Sequence, residues 1–205
     1  MDINTNVPLS IHPSVADRFV GHGDSTVAGH GRVAKSAFEN AYSTLANVDA
    51  QVATINGDKD LSNDAKRRKV AEIRGTATAS ARETLAKEVE RLGNAVKHHE
   101  EQLFKSAAPE HATASREEIR SYVRGLPEND RMRFVAQMAE QGDRQTVFSV
   151  LSAPTYLSGL DTLRADEFAA LRRDSLTKLE PVKGTQLAEL ERLRDAATTA
   201  LGAIQ

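Results

Sequence analysis

The chain has no cysteine and no tryptophan among its 205 residues, and aromatic residues make up only 4% of it. Without cysteine, disulfides, thiolate zinc sites and thiol nucleophiles are all excluded. Scarce aromatics with 40% hydrophobic residues mean that alanine and leucine carry the apolar content, which suits helix seams better than a thick globular core. No apolar run approaches the roughly 18 residues of a membrane span, so no membrane partner is expected. The N-terminus shows no basic region followed by an apolar stretch, and a secretory signal is not expected. Excess charge is lacking too. A net charge of −2 argues against bulk attraction to nucleic acid or acidic lipid.

What is present is helical periodicity. Apolar residues at Ala34, Phe38, Ala41, Leu45, Val48, Val52 and Ile55 alternate steps of four and three. That alternation keeps one seam of a helix towards a partner. A polar break, Asn56-Gly57-Asp58-Lys59-Asp60, precedes a longer run carrying Val70, Ile73, Ala77, Ala81, Leu85, Val89, Leu92, Val96 and Leu103. The pattern reads as a long antiparallel, coiled-coil-like helical hairpin over residues 33–106. A turn near Lys59 sets Ala41 opposite Ala81 and Leu45 opposite Ala77, small residues that permit close backbone approach.

Residues 1–32 contain Pro8, Pro13, Gly21, Gly23, Gly29 and Gly31, breakers that predict an extended arm with at most a short helical turn over Val15–Val20. Pro109 closes the second long helix. Ser115-Arg116-Glu117-Glu118 then has the form of a capping box, and short apolar-faced segments follow, punctuated by Gly125-Leu126-Pro127, Gly142-Asp143 and Pro154. The expected fold is therefore all-α: extended arm (1–32), long hairpin (33–106) and a small multi-helix bundle (115–205) whose final helix packs on the hairpin.

Candidate sites are few. His22, Asp24 and His30 can ligate metals but match no closed-site spacing, and a solvated polar loop accounts for them. Asp58, Asp60, Ser62 and Asp64 imitate the start of a calcium loop. The sixth position is Asn63 where glycine is needed, and the twelfth is Lys69 where a bidentate glutamate is needed; no metal site is assigned. Lys66-Arg67-Arg68-Lys69 sets four cations near a helix N-terminus, against the macrodipole. They are candidate contacts for phosphate or an acidic partner; the plainer reading is a solvated face with Asp64–Arg68 and Arg68–Glu72 pairs. Val89, Leu92, Val96 and Leu103 extend past the shorter helix and are candidate interface residues for a homo-oligomer. No phosphate loop, zinc motif or nucleophile elbow occurs, so neither a catalytic nor a cofactor-binding residue is assigned and no enzyme is expected.

Two stretches, Tyr122-Val123-Arg124-Gly125-Leu126-Pro127 and Leu151-Ser152-Ala153-Pro154-Thr155-Tyr156-Leu157-Ser158-Gly159-Leu160, resemble short all-helical proteins from the structural modules of tailed bacteriophages and prophages. The resemblance spans about residues 60–205. It implies a non-enzymatic virion protein of the head, neck or interior that works through helix-mediated contacts with its own copies or other virion proteins. It would be located in the virion, and in the host cytoplasm during assembly. The alternatives are a transient scaffolding protein or assembly chaperone, and a coiled-coil regulator touching nucleic acid through the basic hairpin tip.

Overall fold

The computed structural model describes residues 7–21, 24–110 and 115–204. Every regular element among them is helical: a 3-10 turn at Leu9–Ile11, then α1 (Ser14–Val20), α2 (Ser25–Gly57), α3 (Asn63–Ala107), α4 (Arg116–Gly125), α5 (Glu128–Glu140), α6 (Arg144–Leu151), α7 (Thr155–Ser158), α8 (Ala165–Leu179) and α9 (Pro181–Gly202). None is long and apolar enough to cross a membrane. The helices gather into two compact units, one of Met1–Val96 with Ala188–Gln205 and one of Lys97–Leu187. Helices α3 and α9 each contribute residues to both.

In the first unit, α2 and α3 are joined by residues 58–62 and run in opposed directions. Lys66 Nζ donates to Asn56 O at 2.9 Å beside the turn, and at the other end Arg91 Nη1 lies 2.8 Å from His30 Nδ1. Carrying that register inward sets Ala41 level with Ala81, both fully buried. Phe38, Leu85 and Leu92 lie in the same core, completed by Leu193, Ala197, Ala200 and Ile204 of the last helix and its end. Glu88 is buried in this unit, and Arg91 answers it with a two-pronged bond, Nε to Oε2 at 2.7 Å and Nη2 to Oε1 at 2.6 Å. A buried carboxylate is tolerated only with such a partner.

The extended arm expected over residues 1–32 is not what the described part of that stretch forms. Val7, Ile11, Ala16 and Phe19 are core residues of the first unit, and α1 is tied to α2 by Lys35–Asp17 at 2.7 Å. The hydrogen bond and the charge of Asp17 hold the Lys35 ammonium above its ordinary range. Of the glycines that signalled a break, Gly29 and Gly31 lie within α2 and Gly21 follows α1, while Gly23 lies outside the described residues. Gly31 is where α1 crosses: a Cβ there would stand 2.7 Å from the Phe19 carbonyl carbon. Its missing side chain lets the two backbones touch instead of ending a helix. Asp24 starts α2, its Oδ1 accepting from Thr26 N at 2.8 Å and Val27 N at 3.2 Å.

The second unit is built around Val123, Val135, Val147, Val150, Leu160, Leu171, Leu176 and Leu179. Its short helices are held by arginines that donate to loop carbonyls. Arg131 Nε reaches Leu126 O (3.0 Å), Nη1 reaches Gly159 O (2.7 Å) and Nη2 reaches Arg124 O (3.0 Å). Arg124 in turn donates to Leu157 O, and the buried Ser158 hydroxyl donates to Val150 O at 3.1 Å.

Candidate functional site

Between Val48 and Ala77 the first unit changes character. Both residues are buried, yet none of the residues from 49 to 76 is. The seam of α2 and α3 continues there through Val52, Ile55, Val70 and Ile73, each only half-buried. Two helices alone can bury one narrow stripe, and a third layer is what turns a stripe into a core. This turn-proximal segment, the tip, therefore carries an apolar seam it does not cover itself.

An open groove of about 580 Å³ lies along the tip, lined by Val52 and Asn56 of α2 and by Asn63, Lys66, Arg67, Val70, Ala71 and Arg74 of α3. Positions 63, 67, 70 and 74 follow one helix face, which is why they meet at one surface. The lining holds three cations, two amides, three apolar residues and no carboxylate.

Two of the tip's acids, Asp58 and Asp64, are occupied around the turn. Asp58 Oδ1 accepts from Asp60 N at 2.8 Å, and Ser62 caps α3, its hydroxyl oxygen accepting from Ala65 N at 3.3 Å. Asp64 pairs with Arg67, not with Arg68 as helical spacing suggested. These roles account for the residues that imitated a calcium loop. Among the described residues no group of three His, Cys, Asp or Glu side chains could hold a metal ion. Asp24 is the cap of α2 and His30 lies within that helix, while His22 falls outside the described residues.

Of the four cations singled out in the sequence, then, Lys66 is spent on the Asn56 carbonyl and Arg67 on Asp64. Arg68 and Lys69 are exposed and pair with none of the described residues. Arg74, missed by a reading that stopped at the four-residue run, is an exposed cation in the groove lining that likewise pairs with none of them. Its signal was the seven-residue step from Arg67, two turns along the same face.

The interface candidates fare differently. Leu92 is fully buried, Val96 and Leu103 nearly so, and Val89 packs against the first unit's core. The chain itself covers Leu92, Val96 and Leu103 and half-covers Val89, so these four residues do not form the exposed self-association seam expected of them. In the first unit the cover includes Leu193 and Ala197 of α9, a helix whose broad leucine face satisfies the stripe that the shorter α2 leaves open.

The second unit has a groove of about 500 Å³ lined by Phe104, Phe168, Arg172 and Arg173 among others. Its polar groups are largely engaged. Arg172 stacks over Phe104 at 4.4 Å, Phe104 stacks on Phe148 at 4.8 Å, and Arg173 pairs with Glu100 at 3.1 Å. With Glu100 and Glu101 beside the cations, this surface has no single sign of charge. The tip groove does.

Comparison with protein-family models, curated proteins and solved structures finds no match for this chain.

Proposed function

We propose that this chain is a non-enzymatic structural or assembly protein of a tailed-phage particle, a helical hairpin with an attached bundle that engages partner proteins through the hairpin tip. The observation that carries the interaction reading is the tip itself, an apolar seam left half-open from Val52 to Ile73 beside a groove lined by Lys66, Arg67 and Arg74, of which Arg74 pairs with none of the described residues. Exposed apolar stripes rimmed by polar groups mark contact surfaces. The particle setting rests on the resemblance of residues 122–127 and 151–160 to phage structural-module proteins. Those two stretches are also joined physically, by Arg124 and Arg131, so their residues have a packing role whatever the setting.

Self-association through Val89, Leu92, Val96 and Leu103 is not part of this reading, because the chain already covers the last three. The neighbours are instead other particle proteins at the tip. A transient scaffold has the same surface requirements, and the two differ in whether the chain remains after assembly. Mass spectrometry of precursor and mature particles from the host that encodes the chain tests the proposal. Presence in mature particles supports a structural component, and presence only in precursors supports the scaffold. Absence from both overturns the particle setting.

A further inference from the structure

Building on the tip as a docking surface, we infer that the groove of Val52, Asn56, Lys66, Arg67, Val70 and Arg74 takes an acidic amphipathic helix of a partner protein. Three features select this occupant. The lining is apolar at half-buried Val52 and Val70 and at Ala71, which rewards a partner's aliphatic side chains but offers nothing to a sugar-phosphate backbone. The lining carries Lys66, Arg67 and Arg74 and no carboxylate; with Arg67 paired to Asp64, Lys66 and Arg74 still leave it net positive, which attracts glutamates or aspartates flanking the partner's apolar face. The groove follows two helices, and a third laid along it would complete the layer that the tip lacks. Amphipathic helices dock on helical grooves through anchors at three- and four-residue spacing.

Charge also decides against the competitors. Residues 56–74 hold Asp58, Asp60, Asp64 and Glu72 as well as six cations. None of these acids is in the groove lining, although Asp64 pairs with Arg67 at its edge; a long polyanion such as DNA would have to pass Asp58, Asp60 and Glu72 as well, whereas a helix laid along the groove meets chiefly its cations. A second copy of this tip would bring a matching set of cations against the first, an unfavourable meeting of like charge.

The partner helix supplies what the free protein is missing. Its apolar face covers Val52 and Val70 and its acids neutralise Arg74, a lining cation that pairs with none of the described residues. Electrostatic steering makes association fast and sensitive to salt. The apolar part of the lining sets the residual, salt-resistant part of the affinity.

The test uses the full chain and three probes. One is a labelled peptide of about five helical turns, near 18 residues, with leucine along one face and glutamate on the flanks. The second is the same peptide with lysine in place of glutamate, and the third is a short DNA duplex. Fluorescence anisotropy is expected to show saturable binding of the glutamate peptide, weakened at least tenfold by Arg74→Glu and by raised salt, with neither the lysine peptide nor the duplex competing. Val70→Asp should abolish binding as well. Circular dichroism and thermal melting of each variant report whether the fold is kept. Arg74→Gln, which keeps an exposed polar side chain at the same place, gives a second, milder loss that misfolding does not explain. Binding of the duplex in preference to the peptide, equal binding of both peptides, or no binding of the glutamate peptide would each overturn the inference. If partner proteins cross-link to the tip in producing cells while the glutamate peptide fails to bind, docking at the tip stands and only the acidic-helix assignment falls. If nothing cross-links there, the docking reading itself falls.

Discussion

Arg131 and Gly159 lock the bundle's two turns together: the guanidinium Nη1 donates to the glycine carbonyl at 2.7 Å. Gly159 has φ of +67°, a left-handed conformation that costs an L-residue about 1–2 kcal/mol. A Cβ at Gly159 would stand 2.9 Å from Arg131 Nη1 and 3.2 Å from Arg124 Cγ. Gly159→Ala therefore combines backbone strain with a collision against the two arginines that close the turn. Urea denaturation should show a loss of about 2–3 kcal/mol. A change within experimental error would mean that the turn is not held as described.

Two glycines within long helices should respond in opposite senses. Gly31→Ala puts a methyl 2.7 Å from the Phe19 carbonyl carbon, a backbone atom that cannot swing aside, and overpacking of this kind costs roughly 1–3 kcal/mol. Gly75 has nothing within 4 Å of the same virtual atom and sits on an exposed helix face. Gly75→Ala should stabilise by about 0.5–1 kcal/mol through helix propensity alone. Thermal melts of the two variants should move in opposite directions.

Those glycines also show what was legible in the sequence. The all-helical character was plain from the three-and-four spacing of Phe38, Leu45, Leu85 and Leu92, because buried faces must recur with the helical turn. Gly29 and Gly31 looked like breakers because local preference penalises glycine within a helix. At Gly31 the close crossing of α1, a tertiary contact, outweighs that penalty and cannot be seen in local spacing. The fate of Leu92 was half legible. The final helix was expected to pack on the hairpin, but periodicity does not say how much of a stripe one helix covers; Leu193 and Ala197 of α9 share the core with Leu92. At the tip the basic run was visible, but Arg74 came into view only when the groove put it on one face with Arg67 and Val70.

Because Leu92 is a core residue of its own chain, its truncation should act on folding and not on assembly. Leu92→Ala is expected to cost about 2–5 kcal/mol, with sedimentation of the remaining folded protein unchanged. A variant that melts like the parent but sediments as a smaller species would place Leu92 at an interface between copies.

Uneven burial along α2 and α3 implies uneven opening. Backbone amides protected by few buried contacts exchange by local fluctuations, whereas those within a core await larger unfolding. Hydrogen exchange should be faster over residues 52–57 and 65–76 than over 34–46 and 81–92. Uniform protection along both helices would mean that the tip is as firmly packed as the core.

The docking role of the tip is tested most directly by site-specific photo-cross-linking in producing cells. A cross-linking side chain at Ala71, exposed in the groove lining, compared with one at Val182, which is 70% exposed in the second unit, separates a docking surface from ordinary solvent contact. The expected result is a discrete protein adduct from position 71, reduced by Arg74→Glu, against a diffuse or absent signal from Val182. Equal signals at the two positions, or an adduct only with nucleic acid at position 71, would contradict the account.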